Sequence, residues 1–511
     1  MRLAGENIPG IIRAAVWIQT AMNAATRQHE HEHAPNRFAV IPVAERLDAD
    51  RARTGRGVTI AVLDSGFHPH PDIRDRIVAY HDVTSPGAAL DETSAPWHWH
   101  GTQTAVTAAG NGALSDGVYR GLAHDAALAL VKVSDRGRIT DEDIVFGLEW
   151  VIANRHQYNI RVVSMSLGGD AELSFTESQV DEAAERAVRA GLTLVVAAGN
   201  AGCTPDHRPI PPANSPSVIT VGGYDDGNTL DEQEIAPYCS SFGPTVDGLL
   251  KPEIVAPAIW VAAPILPNTE AYRQAEALSS LATMPDYRLR IALRHLRHVA
   301  GLPASLASAD TTTMRAEIER ALRERKIVAT HYQHVDGTSF AAPIVASVVA
   351  QMLEANPRLT PALIKNLLVS TADRSGGLSL HQQGYGVLNA RRAVAAAARE
   401  THIRPEEHDG EFTPPRVEGG RLVFRFHHDT ARRVALAGDF NGWNPAEAGF
   451  VKQANGIWRA EIELPTAGRY EYKFVVNDNE WLDDPSNGEK APDNHGGFNS
   501  VVRIIGAGSQ K

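Results

Sequence analysis

Long hydrophobic runs are scarce in this chain: its longest apolar stretches, such as Ile344 to Leu353, are short and broken by polar residues. That is well below the ~20 residues a membrane-spanning helix needs, so no membrane span is expected. Cysteine is scarcer still. Cys203 and Cys239 are the only two, which excludes a disulfide scaffold and suits a reducing compartment, while a single bridge between them stays open. Basic charge is in deficit as well, with 49 Lys and Arg against 61 Asp and Glu and a formal charge of −12, which argues against nucleic acid as the main partner. The stretch Met1 to Met22 lacks an uninterrupted apolar region because Glu6, Arg13 and Gln19 fall inside it. The expectation is a soluble protein that folds in the cytoplasm without disulfides and meets neither membrane nor nucleic acid.

What is present divides the 511 residues into more than one domain. Residues 1–54 read as an N-terminal extension. Its run His29, Glu30, His31, Glu32, His33, with no regular element around it, reads as a solvated arm in preference to a metal site. From Gly57 the pattern is α/β. Val58–Leu63, Ala126–Val133, Val162–Leu167, Leu192–Ala198 and Val218–Val221 are apolar enough for buried strands. Thr102–Ala109, Asp141–Ala153 and Glu177–Ala190 are helical, the last closed by Gly191. Alternation of this kind implies a mostly parallel sheet with helices on both faces and chemistry at the carboxyl ends of the strands.

Three segments carry candidate catalytic residues. Asp64 lies in Val-Leu-Asp-Ser-Gly at a strand end, His100 in His-Gly-Thr-Gln-Thr-Ala at a helix start, and Ser339 in Gly-Thr-Ser-Phe-Ala-Ala-Pro opening a long apolar helix. Serine alone is a poor nucleophile at neutral pH. It needs a histidine to take its proton and a carboxylate to orient that histidine, and all three types occur here in the order Asp, His, Ser.

These segments, in that order, resemble the active-site signatures of the subtilase family of serine proteases over roughly residues 55 to 400. The resemblance implies a subtilisin-like catalytic domain at 55–398 that hydrolyses peptide bonds in protein or peptide substrates. Ser339 is then the nucleophile, His100 the general base and acid, Asp64 the orienting carboxylate, and Asn200 in Ala-Ala-Gly-Asn the oxyanion donor. It implies that Ser164, Leu167, Gly168 and Gly169 pair with substrate backbone and that Ala198 and Gly199 line the cleft beside Asn200. No cofactor is required for the chemistry. Structural calcium is common in the family, and Asp72 in His-Pro-Asp matches a ligand position.

Trp97, His98 and Trp99 beside His100 read as packing residues. Gln103 departs from the second histidine often seen in the His100 signature. An inserted stretch at about 265–333, helical at Tyr287–Val299 and Met314–Arg325, reads as a helical hairpin near the cleft. The resemblance to intracellular subtilases makes Arg37–Val43 a candidate segment for blocking that cleft, with an ordinary edge strand as the alternative.

Residues 399–417 read as a linker. Beyond it, 418–505 holds short alternating strands and turn signals at Asn441-Gly442, Asn455-Gly456 and Ala467-Gly468, the pattern of a small all-β, immunoglobulin-like sandwich. Gly-Asp-Phe-Asn-Gly-Trp at 438–443, Tyr470 to Val476, Glu480 to Pro485 and Phe498 to Val502 resemble the glycogen-binding modules of the AMP-activated kinase β subunit and of branching enzymes. By that resemblance Trp443 and Trp481 stack on glucose rings and Lys473 and Asn499 bond sugar hydroxyls, whereas Trp458 in a strand is core. Gly497 stands where a hydroxyl-bearing residue is common. The reading is a serine endopeptidase tethered to an α-glucan such as glycogen. The alternatives are a non-catalytic glucan-associated scaffold or a sandwich that mediates protein contacts.

Overall fold

The computed structural model describes residues 40–504 apart from 170, 232–234, 402–413, 419, 429–430, 454–456, 488 and 494–496. The His29–His33 run, Arg37–Ala39, the Asn455-Gly456 turn and most of the 399–417 linker lie outside the described residues. Strands β1 (Thr59–Asp64), β2 (Ile77–Asp82), β3 (Ala127–Lys132), β4 (Ile160–Met165), β5 (Thr193–Ala197), β6 (Ile219–Asp225) and β7 (Ile254–Pro257) form a parallel sheet in the order β7-β6-β5-β4-β1-β3-β2.

Every residue of β1 is buried, and successive side chains enter opposite cores, as the two-residue strand period requires. Ile60 and Val62 pack with helices α2 (Trp99–Ala109), α8 (Thr338–Ala355) and α10 (Ala390–Arg399). Ala61 and Leu63 pack on the other face with α3 (Asp141–Asn154) and α4 (Gln179–Arg189). Thr140 caps α3 through a reciprocal bond with Asp143, and Ser178 caps α4, which fixes both starts. Helix α8 is apolar and long enough to cross a membrane, but it is the central helix of this core.

Two sequence expectations change here. A three-helix insertion, α5 (Glu270–Thr283), α6 (Asp286–Leu296) and α7 (Thr311–Glu324), replaces the expected hairpin and has a core of its own around Leu278, Leu289 and Ile318. It hangs between β8 (Val261–Pro264) and the antiparallel pair β9 (Ile327–Ala329) and β10 (Tyr332–Val335). Cys203 and Cys239 form a disulfide, contrary to the expectation of a fold without one. The segment after β5 runs beside residues 239–241, with Gly202 N donating to Cys239 O and Ser241 N to Gly199 O. A separation of 36 residues hides that approach in the sequence.

The candidate blocking segment is described only from Val40. Ile41 N donates to Asn228, Val43–Arg46 (α1) is a short helix and not a strand, and Arg46 forms a buried ion pair with Asp226 while donating to the carbonyls of Ile259 and Trp260.

Behind the sheet, Glu253 is shared by two buried ammonium groups, Lys251 at 2.6 Å and Lys365 of α9 (Pro361–Thr371) at 2.7 Å. The lysines also donate to the carbonyls of Ser215, Pro216 and Val218, so each buried charge is paired and hydrogen-bonded. Burial pulls the Lys251 ammonium down to about 8 despite Glu253.

The C-terminal domain is the expected two-sheet sandwich. Strands β11 (Arg416–Glu418), β12 (Arg421–His427), β15 (Ile457–Glu463) and β14 (Val451–Lys452) form one sheet. In the other, β13 (Val434–Gly438), β16 (Gly468–Val476), β19 (Phe498–Ile504) and β18 (Lys490–Pro492) lie side by side, and β17 (Glu480–Leu482) pairs with β16. Its first strand reaches back to Arg416, inside the expected linker. Contacts join the domains directly: Asn366 donates to Asp483, Tyr385 donates to Lys490 O, and the Tyr385 ring meets Phe498 edge-on.

Candidate active site and carbohydrate face

Asp64 ends β1, where the carboxyl edge of the sheet opens. Its Oδ1 accepts from Ser65 N at 2.7 Å and its Oδ2 from the Thr104 hydroxyl at 3.0 Å, while His100 Nδ1 lies 2.8 Å and 3.0 Å from the two oxygens. Helix α2 reaches this close because residue 101 is glycine: a Cβ there would stand 2.3 Å from Gly66 O and 2.9 Å from the Asp64 side chain. The carboxylate is almost wholly buried and the imidazole 16 % exposed, so Asp64 orients while His100 keeps one edge open.

Ser339 enters at the first turn of α8. Pro343 lacks the N–H that would bond the carbonyl of Ser339 four residues back, and the Ser166 hydroxyl supplies the missing donor at 2.7 Å. The segment after β4 is thereby tied to the Ser339 turn. The Phe340 ring lies 5.9 Å from the His100 ring, placing the base beside the Ser339 turn. Asn200 Oδ1 accepts from Thr338 N and Oγ1 at 2.9 and 3.1 Å. Its oxygen is committed, so its NH₂ group is the end left to donate to a developing oxyanion.

Burial alone would lower the His100 imidazole, but the charge of Asp64 and its hydrogen bond outweigh burial and raise it above 6.5. A histidine that acts as a general base works only when neutral. A raised pKa holds the proton to higher pH, so kcat/KM should fall as pH drops through a value above 6.5, and Asp64→Asn should move that acid limb down while slowing the reaction by about 10⁴. A pH–rate profile checks this; a wild-type limb at or below 6.5 contradicts it.

In the sandwich, antiparallel partners share a face. The pairs Ala437 with Lys473, Val475 with Trp481 and Ala491 with Asn499 put Lys473, Trp481 and Asn499 on the outer face of the five-stranded sheet, opposite the core lined by Leu436, Tyr472 and Phe474. Trp443, at φ 61°, folds onto Ala435, Ala437 and Val475 of the same outer face, its Nε1 donating to Asp439. Trp481 is 43 % exposed. Lys473 is ion-paired with Asp493 at 2.6 Å and Asn499 donates to Glu471, so both are held in place. Trp458 is core, packed in the sandwich interior.

Residues 55–386 match the model of the subtilase family (Peptidase_S8), and residues 411–487 match carbohydrate-binding module 48, the isoamylase N-terminal domain. The chain belongs to the subtilase family. Serine protease AprX of Bacillus subtilis is 35% identical over 357 residues, 67% of this chain and 67% of that one. A cuticle-degrading serine protease of Arthrobotrys oligospora is 31% identical over 263 residues, 51% of this chain and 54% of that one. The major intracellular serine protease of Bacillus subtilis is 32% identical over 184 residues, 35% of this chain and 54% of that one. The chain thus spans about half the length of the latter two. A crystal structure of a cold adapted subtilisin-like serine proteinase aligns at TM-score 0.42 and 23% identity, covering 66% of this chain and 89% of that one.

This subtilase is therefore a subtilisin-type serine endopeptidase carrying a carbohydrate-binding module. Of the expected substrate residues, Leu167, Gly168 and Gly169 follow the end of β4, with Gly169 N already donating to Pro211 O. Gly199 N donates to the Thr338 hydroxyl. Ala198 is buried, its N–H taken by Val221 O. Ser164 is a correction: it is an interior residue of β4, flanked by Val62 and Val195 and 1 % exposed, so it cannot face substrate. Ser65, Thr104, Ser166 and Thr338, which hydrogen-bond Asp64, Ser339 and Asn200, carry no signal of that role in the sequence although each lies in or beside a signature.

Subtilases need no cofactor for the chemistry. Asp72 does not fit calcium. Its Oδ2 accepts from the Tyr332 hydroxyl at 2.7 Å, its Oδ1 accepts from Leu114 N and has the His70 ring 3.7 Å away, and burial pushes its carboxyl up. A hard cation wants six to eight oxygen ligands, several of them anionic, and among the described residues no three acidic, histidine or cysteine side chains gather to hold a metal.

Proposed function

We propose that Asp64, His100 and Ser339 act as a catalytic triad with Asn200 as oxyanion donor, and that the C-terminal module tethers this activity to an α-glucan such as glycogen. The observation that carries the reading is His100, hydrogen-bonded to Asp64 on one side and set beside the Ser339 turn on the other. Ser339 Oγ attacks the scissile carbonyl as His100 Nε2 takes its proton. Asn200 donates to the oxyanion, and His100 returns the proton to the leaving amine. Water then enters, His100 removes its proton, and the acyl-enzyme is hydrolysed. Support for the tether is the outer sheet face carrying two indoles among held polar groups, since a sugar offers an apolar ring face and a fringe of hydroxyls. Glycogen is stored in the cytoplasm, so that is the proposed place of action, although the Cys203–Cys239 bridge is a pairing that a reducing compartment disfavours.

A fluorophosphonate probe should label the full-length protein, and Ser339→Ala should remove the label. Labelling that survives this change, or its absence from wild-type protein, refutes the assignment.

A further inference from the structure

Between helix α2 and the helical insertion lies a half-open pocket of about 210 Å³, lined by Pro96, Trp99, Gln103, Ile265, Leu266 and Ala271 among others. That volume is below the ~300–1,000 Å³ of a site for a whole small molecule and suits a single large side chain. Its wall adjoins the chemistry, because the Trp99 ring stands perpendicular to the His100 ring with centroids 5.1 Å apart. The lining is apolar except at a few points, and one of these is unusual. Gln103 is 1 % exposed; its Nε2 donates to Pro264 O at 2.9 Å, while among the described residues no protein group donates to its buried Oε1. A buried acceptor without a donor is destabilising, and a ligand that brings the donor relieves it.

We propose that this cavity is a pocket for a substrate side chain next to the scissile bond, selective for tyrosine, with Gln103 as the residue that sets the selectivity. The inference rests on the endopeptidase reading above. Tyrosine supplies both an apolar ring for Trp99, Pro96, Ile265 and Leu266 and a hydroxyl that donates to Gln103 Oε1. Phenylalanine fills the space and leaves the acceptor unpaired. A site built to bond a hydroxyl discriminates against the analogue that lacks it far better than a greasy pocket senses a methylene. The insertion contributes Ile265, Leu266 and Ala271, so the pocket belongs to this chain's own elaboration of the cleft.

Quenched fluorescent peptides that carry Tyr, Phe or Ala in turn at each position flanking the scissile bond test it in the full-length enzyme. At one position kcat/KM should favour Tyr over Phe by about tenfold, and Gln103→Leu should bring that ratio to about one. Ala271 is exposed at the mouth, where Trp is tolerated by the helix. Ala271→Trp should shrink the advantage of both aromatic peptides over the Ala peptide, which guards against a Gln103→Leu protein that fails to fold. A Tyr to Phe ratio near one at every position in wild type, a tenfold ratio retained in Gln103→Leu, or an aromatic advantage unchanged in Ala271→Trp overturns the pocket alone. Absence of any cleavage together with absence of fluorophosphonate labelling overturns the endopeptidase reading, and the pocket falls with it.

Discussion

Ser339→Ala and His100→Ala should each lower kcat by on the order of a million-fold, and the double variant should lose little beyond either single change. The magnitude is the one known for the same pair in subtilisin itself and is carried over. Non-additivity is the part that follows from this site. Without His100 the Ser339 hydroxyl loses the base that takes its proton; without Ser339, a neutral His100 has no nucleophile to activate. What remains in all three proteins is the Asn200 amide, whose orientation depends on Thr338 and not on the triad. Single-turnover hydrolysis of a soluble peptide by the four proteins measures this. Losses that add, or casein hydrolysis that persists in Ser339→Ala, would sink the triad assignment. All four should unfold at similar temperatures, because neither side chain is a large part of the core.

The candidate catalytic residues stood out in the sequence because each sits at an end of regular structure. Asp64 closes a wholly buried strand, and Ser339 opens a helix buried over most of its length. Residues that hold them in place did not, because their role depends on partners far away in sequence: Ser166 serves Ser339 across 173 residues, and Thr338 holds Asn200 across 138. Strand β2 escaped notice since it edges the sheet and mixes exposed with buried positions, which blurs the apolar run that marks β1, β3 and β5. Helix α5 was missed for a related reason. Its buried face is Ala275, Ala277, Leu278 and Leu281 among Ser, Thr and Ala, too small a contrast to show a helical stripe. Ser164 was misplaced by reading a signature as a continuous substrate strand. The strand ends at Met165, and only the residues beyond it leave the sheet. Asp72 shows the opposite limit: a ligand-like residue in a family position, whose partners turn out to be a tyrosine hydroxyl and backbone amides. The face of the sandwich was readable in its types but not in its geometry, because nothing in the order of residues says that Trp443, five residues past β13, folds back onto Ala435 and Ala437.

Trp443→Ala and Trp481→Ala should each weaken retention on glycogen by about 2 kcal/mol, close to thirtyfold in Kd, because aromatic anchors dominate small binding faces. The two differ in what else they lose. Trp481 is half free on β17 and should leave stability unchanged. Trp443 also covers Ala435, Ala437 and Val475, so its removal should lower the unfolding temperature slightly as well. Trp458→Ala is the contrasting change. That indole is 6 % exposed among Phe426, Phe450 and Phe474, and its loss should destabilise the sandwich by about 3–5 kcal/mol. Any fall in glycogen retention should then track the fraction unfolded. Direct contacts join the sandwich to Asn366 and Tyr385, so the full-length protein is the right material. Mobility in gels containing amylopectin, with thermal unfolding and hydrolysis of a soluble peptide alongside, separates the effects. Hydrolysis should be unaffected by the first two changes, since neither touches the cleft. If wild-type protein runs unretarded in the polysaccharide gel, the tether fails and the exposed indoles belong to a protein-binding face; if Trp481→Ala is retained as strongly as wild type, the glucan sits elsewhere than on this sheet.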